Sequence, residues 1–420
     1  MKIIKKRGIT SRGVRNKFFS HSTRQTNVRI KNYVSGNVAY FSFRQEWIIN
    51  YFFNFALSNR ESMNKNLFVA LMAGGVGTRF WPYSRNSQPK QFLDVMGTGK
   101  SLLRSTYERF LPLCPSENIF VITHEEHVEI TKQQLPELSS SQILAEPMRK
   151  NTAPCIAYAC YKIQKINPEA VIVVSPSDHL ILNEVDFQQT ISKVIDHAKT
   201  QDKLITLGIK PTRPETGYGY IQFIENKSPL KKVKTFTEKP ELTLAKKFID
   251  SGDFVWNAGL FICGVQAFLD AYKKHLPEMT EIFDDISDKI STNEEKAAIR
   301  IAYAQVKSIS VDYGIMEKAS NVYVWPSNFA WNDLGSWASL HELSPKDSNN
   351  NAITADTMLY DTRNSIIKGE KGKLIVAQGL NGYLVGTFDN VVIVCEKDKE
   401  DLFRRFVNDL KAKSNGGEYL

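Results

Sequence analysis

The chain has 420 residues and a 42% hydrophobic share, ordinary for a soluble protein and enough for a sizeable core in two or three domains. Its five cysteines are scattered, odd in number and without a Cys-x-x-Cys pair. That excludes a disulfide framework and a structural zinc site, and it leads us to expect a cytoplasmic protein with reduced thiols. The net charge of +9 is concentrated at one end: residues 1–62 hold 12 Lys and Arg against 2 Asp and Glu, and the rest hold 42 against 43. The folded body is therefore nearly neutral, and no nucleic-acid partner is expected for it.

In chain order, the basic stretch 1–62 has the composition of a transit peptide or of a basic arm. Met63 stands just before the first core strand, however, and we expect translation to begin there and the stretch before it to do no chemistry. The apolar run 47–57 is well short of the roughly 20 residues that cross a bilayer, so no membrane partner is expected. From 63 onward, short apolar strands are predicted at 67–72, 119–122, 143–145, 171–175 and 204–209, with helices at 102–110, 125–135, 153–166 and 184–199 between them. This rhythm predicts a mostly parallel sheet with helices on both faces, whose ligands bind beyond the carboxyl ends of the strands. The stretch 217–264 is rich in turns and reads as an antiparallel elaboration closing over a substrate. Helices are predicted at 265–274, 279–290 and 293–304. After about 344, Asn349-Asn350-Asn351 marks a boundary, followed by short strands at 365–367, 373–377, 383–387 and 391–395 and a last helix at 399–411.

The first strand runs into Ala73-Gly74-Gly75-Val76-Gly77-Thr78-Arg79, and Pro89-Lys90-Gln91-Phe92-Leu93 follows. Glycines allow a tight turn and close approach of backbone to ligand, and successive N–H groups there form an anion-binding concavity. Arg79 and Lys90 add positive charge, so the simplest ligand is a nucleoside triphosphate. A dinucleotide fingerprint fails because the third glycine position is Phe80. A Walker loop fails as well. Gly99-Lys100-Ser101 supplies its end, but the opening position is Asp94, an acid where phosphates would sit.

Two acids sit in turns. Asp178, in Ser175-Pro176-Ser177-Asp178-His179, reads equally as a Mg²⁺ ligand or a helix cap. Asp333, in Trp331-Asn332-Asp333-x-Gly335-x-Trp337, reads as a second metal acid or a turn residue. Glu238-Lys239-Pro240 follows a predicted strand at 233–237 and is by itself a solvated charge pair. His124-Glu125-Glu126-His127 is one residue short of a zincin motif and reads as the start of a surface helix.

Taken together, Ala73-Gly74-Gly75-x-Gly77-Thr78-Arg79-x-Trp81-Pro82-x-Ser84-Arg85 and 89–93 resemble the signature of the sugar-1-phosphate nucleotidylyltransferases, and in their longer form the GDP-mannose pyrophosphorylase branch. The resemblance runs from about Met63 to the C-terminus, with further motifs in matching order. It implies a Rossmann-like catalytic domain over 63–345 and a small β-rich domain over 346–420 that packs subunits together, a homodimer being expected. The isomerase domain that longer relatives carry beyond this point is not expected. The implied substrates are GTP and mannose 1-phosphate, with Mg²⁺ as cofactor. By resemblance, Asp178 and Asp333 bind the metal and act with Arg79 and Lys90 in catalysis. Ala73, Gly74, Gly75, Gly77, Thr78, Arg79, Glu146, Asn151 and Ser177 match nucleotide-binding positions, and a glutamate at 146 suits the two N–H donors of guanine. Gly217, Tyr218, Glu238, Lys239 and Asn257 match sugar-phosphate positions. The family's arginine before Asn-Thr-Ala-Pro is here Lys150, which lacks the bidentate fork, and the matching block Asp312-Tyr313-Gly314-Ile315-Met316-Glu317 reads mainly as packing, with a substrate-side role as the alternative. The same chemistry on another nucleotide and hexose 1-phosphate is the near alternative. A non-catalytic nucleotide-sugar sensor would be expected to have lost the acids or cations that are present here.

Overall fold

The computed structural model describes residues 64–199 and 202–420. The basic N-terminal stretch and its reading lie outside the described residues. A nine-stranded sheet forms the centre, built from β1 (Leu67–Met72), β2 (Ile119–His124), β3 (Ile143–Glu146), β4 (Val171–Pro176), β6 (Leu204–Ile209), β7 (Tyr220–Phe223), β8 (Lys231–Thr237), β9 (Phe254–Gly264) and β10 (Val322–Ser327). Its order is β3-β2-β1-β4-β9-β6-β10-β8-β7. The pairs β3–β2, β2–β1 and β1–β4 are parallel, as the βα rhythm requires. The apolar runs of β1, β2 and β6 are buried on both faces, which is why they lack alternation. The long β9 runs antiparallel between β4 and β6. The antiparallel elaboration is thus part of the main sheet, not a separate flap over it.

Helices α1 (Leu102–Phe110), α2 (Val128–Gln134), α3 (Thr152–Ile166) and α4 (Glu184–Ala198) fill the connections of the parallel part. Two apolar clusters lie on opposite faces of the sheet, one under α3 and the other under α1 and α4. The predicted helix at 125–135 is a 3₁₀ turn, Glu125–His127, leading into α2. Helices α5 (Leu242–Ser251), α6 (Val265–His275), α7 (Pro277–Asp284) and α8 (Glu295–Gln305) follow, and a single π-turn spans Asp312–Met316. Two-residue strands β5 (Leu180–Ile181) and β11 (Trp331–Asn332) pair antiparallel at the strand ends.

After α9 (Trp337–Leu343) come β12 (Ala352–Thr354), β13 (Asp356–Tyr360), β14 (Ile366–Lys368), β15 (Leu374–Gln378), β16 (Tyr383–Phe388) and β17 (Val391–Glu396), then α10 (Glu400–Ala412). Here β12-β14-β16 and β13-β15 are parallel, and only β16–β17 is antiparallel. This C-terminal part shares a core with the signature segment: Phe80, Trp81, Leu93 and Trp337 cluster with Leu384, Phe388, Phe403 and Val407. All five cysteines are buried and free. Among the described residues no helix is long and apolar enough to cross a membrane.

Candidate active site

The adjacent parallel strands β1 and β4 deliver their ends side by side, with Met72 opposite Pro176. Ser177 is fully buried, and its N–H and hydroxyl both donate to the Met72 carbonyl (3.1 and 2.8 Å), which fixes where Asp178 emerges. Ala73 is buried too. Its N–H donates to Ile122 O, and its carbonyl accepts from Gln91 and Thr123. Gln91 also reaches Gly75 O (3.0 Å), so one amide staples both sides of the glycine turn. Gly75 is exposed with open space beside it, whereas Gly74 lies against a Glu146 carboxylate oxygen. Gly77 has φ +67°, and a Cβ on it would stand 2.8 Å from the Lys90 Cβ, so conformation and space both demand glycine. Thr78 opens the 3₁₀ turn Thr78–Phe80 that carries Arg79.

Lys90 is only 5% exposed. Its ammonium pairs with Asp178 Oδ2 at 2.8 Å and donates to the carbonyls of Asp333 (2.8 Å) and Leu334 (3.3 Å). It thereby joins three segments that are remote in sequence. Burial alone would raise the Asp178 carboxyl, but Lys90 and His179 more than offset it, and the group is held below the usual Asp range. Asp333 Oδ1 accepts from the Tyr218 hydroxyl (2.6 Å) and from Gly335 N (2.9 Å). A Cβ on Gly335 would lie 2.5 Å from Asp333 Oδ2, so the carboxylate folds back over that glycine. Trp331 Nε1 donates to His179 Nδ1 at 3.1 Å, and His179 Nε2 lies 3.8 Å from Asp178 Oδ1. Burial, reinforced by Lys90 and Arg109 against the pull of Asp178 and Asp333, holds this ring below the usual His range. No cluster of three or more His, Cys, Asp or Glu able to hold a metal occurs among the described residues. Asp178 and Asp333 supply carboxylate oxygens, the donor type a hard cation takes, and such a cation would need its other oxygens from phosphate and water.

On the other side of Tyr218 lies a second polar group. Tyr218 packs edge-on against Trp256 and Trp331, and its carbonyl accepts from Lys239 N. Gly217 N donates to Glu215, and a Cβ on Gly217 would come within 3.7 Å of Arg79 Nη1, so the Arg79 guanidinium reaches this loop. Glu215 pairs with Arg213, and Arg79 has no ion pair among the described residues. Lys239, at φ +49°, is exposed and paired with Glu238 Oε1. The Glu238 side chain is 7% exposed and its Oε2 has no partner. Gly219 makes room for that oxygen, since a Cβ there would approach it to 2.5 Å. Asn257 accepts from Thr206 Oγ1 and Gly259 N and donates to Asp312 Oδ1 (3.0 Å). Burial first, and Glu238 second, push the Asp312 carboxyl up to about 7.

Glu146, at the end of β3, is 5% exposed and accepts from the Tyr303 hydroxyl at 2.9 Å. Its other oxygen lies against Gly74. Burial raises its carboxyl to about 7. Asn151 has φ 70° and ψ −169°, a region nearly confined to glycine, and its side chain caps α3. Of the two cations beside it, Arg149 pairs with Glu126.

Elsewhere the structure gives plain uses to the rival motifs. Asp94 accepts from the amides of Thr98 and Gly99, and Ser101 caps α1, so 97–101 is a loop before a helix. His124 accepts from Glu126 N, and the His127 ring is bonded to Asn86 O. The sequence reading gave Gln91, His179 and Trp331 no role of their own, although each stands inside a quoted motif, and it placed a substrate-side role for the Asp312 block second to packing.

Comparison with known proteins places this geometry among relatives. The nucleotidyl transferase family matches residues 69–350. The xanthan biosynthesis protein XanB of Xanthomonas campestris pv. campestris is 36% identical over 345 residues, covering 81% of this chain and 73% of that protein. A mannose-1-phosphate guanylyltransferase of Salmonella montevideo is 36% identical over 360 residues, covering 82% and 74%. A crystal structure described as mannose-1-phosphate geranyltransferase from Thermus thermophilus superposes with a TM-score of 0.74 at 28% identity, covering 82% of this chain and 99% of that one.

Proposed function

Because the chain belongs to the nucleotidyl transferase family, we propose that it transfers GMP from GTP to mannose 1-phosphate, forming GDP-mannose and releasing pyrophosphate. The chemistry asks for positioning and charge neutralisation rather than a covalent enzyme intermediate. A phosphate oxygen of the sugar 1-phosphate attacks the α-phosphorus. The bond from that phosphorus to the oxygen bridging to the β-phosphate breaks, and pyrophosphate leaves with that electron pair. A divalent cation, Mg²⁺ in our reading, would be held by Asp178 and Asp333 and would supply charge neutralisation for the phosphates. Arg79, free of ion pairs among the described residues, faces the leaving pyrophosphate. Lys239 is exposed and next to Glu238, where it holds the sugar phosphate. Glu146 accepts the two N–H donors of guanine. Lys90 acts mainly by holding Asp178 and the Asp333 loop in place.

The observation that carries the reading is the Lys90 tie: Lys90 pairs with the Asp178 carboxylate and binds the backbone carbonyl of Asp333, joining the two acid-bearing segments to the one that packs under Gly77. The C-terminal strands support a homodimer, since Met358 and Tyr360 on β13 and Leu374 and Val376 on β15 expose apolar side chains. The test of function is pyrophosphate release by the full chain with Mg²⁺ and each pairing of GTP, ATP, UTP or dTTP with mannose or glucose 1-phosphate. Release confined to GTP with mannose 1-phosphate supports the proposal. Release with another pair overturns the substrate assignment, and silence in every pairing overturns the activity.

A further inference from the structure

We propose that Asp312 is a specificity-determining residue of the sugar subsite, its carboxyl group binding a ring hydroxyl of the hexose 1-phosphate beside Glu238. This rests on the nucleotidyltransferase reading and deepens it at a position that the sequence reads mainly as packing.

The argument begins with Asn257. This residue is 9% exposed, and its carbonyl oxygen is already occupied by the Thr206 hydroxyl and the Gly259 amide. Those two donors fix the rotation of the side-chain amide, and its N–H is given to Asp312 Oδ1. Asn257 therefore has little left for a ligand; its geometry aims Asp312. The second observation is independent. Glu238 Oε2 is buried without a partner, on a side chain that is 7% exposed. An unmet buried acceptor is costly unless a ligand supplies the donor. Gly219 keeps the space beside that oxygen clear, because a Cβ there would collide with it.

The chemical class of the ligand follows from the charges. Asp312 faces Glu238, with Lys239 as the nearby cation and Asn257 as the neutral donor. Glu317 and Tyr313, on the same turn, bond to the Glu238 backbone. Two carboxyl groups repel a phosphate but suit hydroxyls, which donate and accept. Burial and the facing Glu238 push the Asp312 carboxyl up, which favours its protonated form beside Glu238, so the pair can offer a donor as well as acceptors. Adjacent hydroxyls of a hexopyranose match that set, and the phosphate falls to Lys239.

The test is steady-state kinetics of the wild type and Asp312→Asn with mannose 1-phosphate and with each of its singly deoxygenated analogues. The asparagine keeps an oxygen for Asn257 but changes what the sugar meets. The expected result is a KM for mannose 1-phosphate raised at least about tenfold, with the GTP KM within about twofold of wild type. For one deoxy analogue, the one lacking the hydroxyl held by Asp312, wild type and variant should have the same KM. An unchanged sugar KM overturns the proposal. So does an equal loss on every analogue, which marks a merely structural residue. Should the wild type prefer another hexose 1-phosphate, the substrate assignment fails while the same comparison on that sugar still decides Asp312. Should it neither turn over nor bind any hexose 1-phosphate by calorimetry, both fall.

Discussion

Glu146→Gln separates binding from stability at one side chain. The carboxyl is 5% exposed, and its single side-chain donor among the described residues is the Tyr303 hydroxyl. Burial raises it from 4.5 to about 7. The folded protein therefore keeps this proton up to about pH 7, whereas the unfolded chain gives it up near 4.5. Stability that is fully present below the lower value is lost as pH rises through the higher one, and it stays lost above. At 1.36 kcal/mol per pH unit the loss is about 3 kcal/mol, taken as an order of magnitude. Glutamine has the same shape, can still accept from Tyr303 and carries no charge. Urea unfolding of the full chain at pH 5, 6, 7 and 8 should show the variant gaining on the wild type with pH, the gap approaching about 2–3 kcal/mol at the top. The same variant should bind GTP about ten- to a hundredfold more weakly, because one oxygen cannot serve both N–H donors of guanine. Its preference for GTP over ITP, which lacks the amino group, should shrink. A stability gap that does not change with pH, or one of opposite sign, would refute the buried-charge reasoning. An unchanged GTP KM would refute the assignment to the base.

Asp178→Asn should lower kcat by at least about two orders of magnitude, measured as pyrophosphate release at saturating substrates; a smaller loss removes Asp178 from the reacting centre. Gly77→Ala places a side chain at φ +67° and against Lys90, so it should lose about 1–2 kcal/mol of stability on backbone grounds alone and raise the GTP KM. In Trp81→Phe the bond from Trp81 Nε1 to Tyr419 O (2.7 Å) is removed. A midpoint loss worth about 1 kcal/mol with a higher GTP KM is expected, and an unaltered GTP KM would show that the C-terminal tail does not support the signature loop. Val376→Asp on the exposed face of β15 should shift sedimentation toward monomer, and an unchanged state would move the subunit contact elsewhere.

What could be read in the sequence was local. Strands β1 and β6 have the bounds that their apolar runs predicted, because a strand buried on both faces is written as an uninterrupted run. The place of β9 was not legible. Its residues say strand, but nothing in them says that it runs antiparallel between β4 and β6. In the site, Gly77 and Asp178 were legible because a turn after a strand is a chain-local event. Gln91 across the glycine turn, Trp331 on His179 and Asn257 on Asp312 are contacts between distant segments, and periodicity carries no distances.

Lys90 shows what this difference means for mechanism. A lysine some way after a glycine turn reads as a mobile charge for phosphates. In the folded chain it is buried, and a buried ammonium must be satisfied by partners at once. Its partners are one carboxylate oxygen of Asp178 and two peptide carbonyls of the Asp333 loop, so its charge is spent on geometry before any ligand arrives. Gly77 must be a glycine because the Lys90 stem passes beneath it, and the Asp333 loop is further held through the contact of Phe80 with Trp337, 5.2 Å between ring centres. Trp337 in turn packs on Phe388 and Phe403 of the C-terminal part. The chain of contact from β16 and α10 to the two acids is therefore continuous, and the C-terminal strands bear on the reacting centre even though none of their residues lies in it. Arginine could not replace Lys90, since its planar fork cannot divide one ammonium among three acceptors lying in different directions.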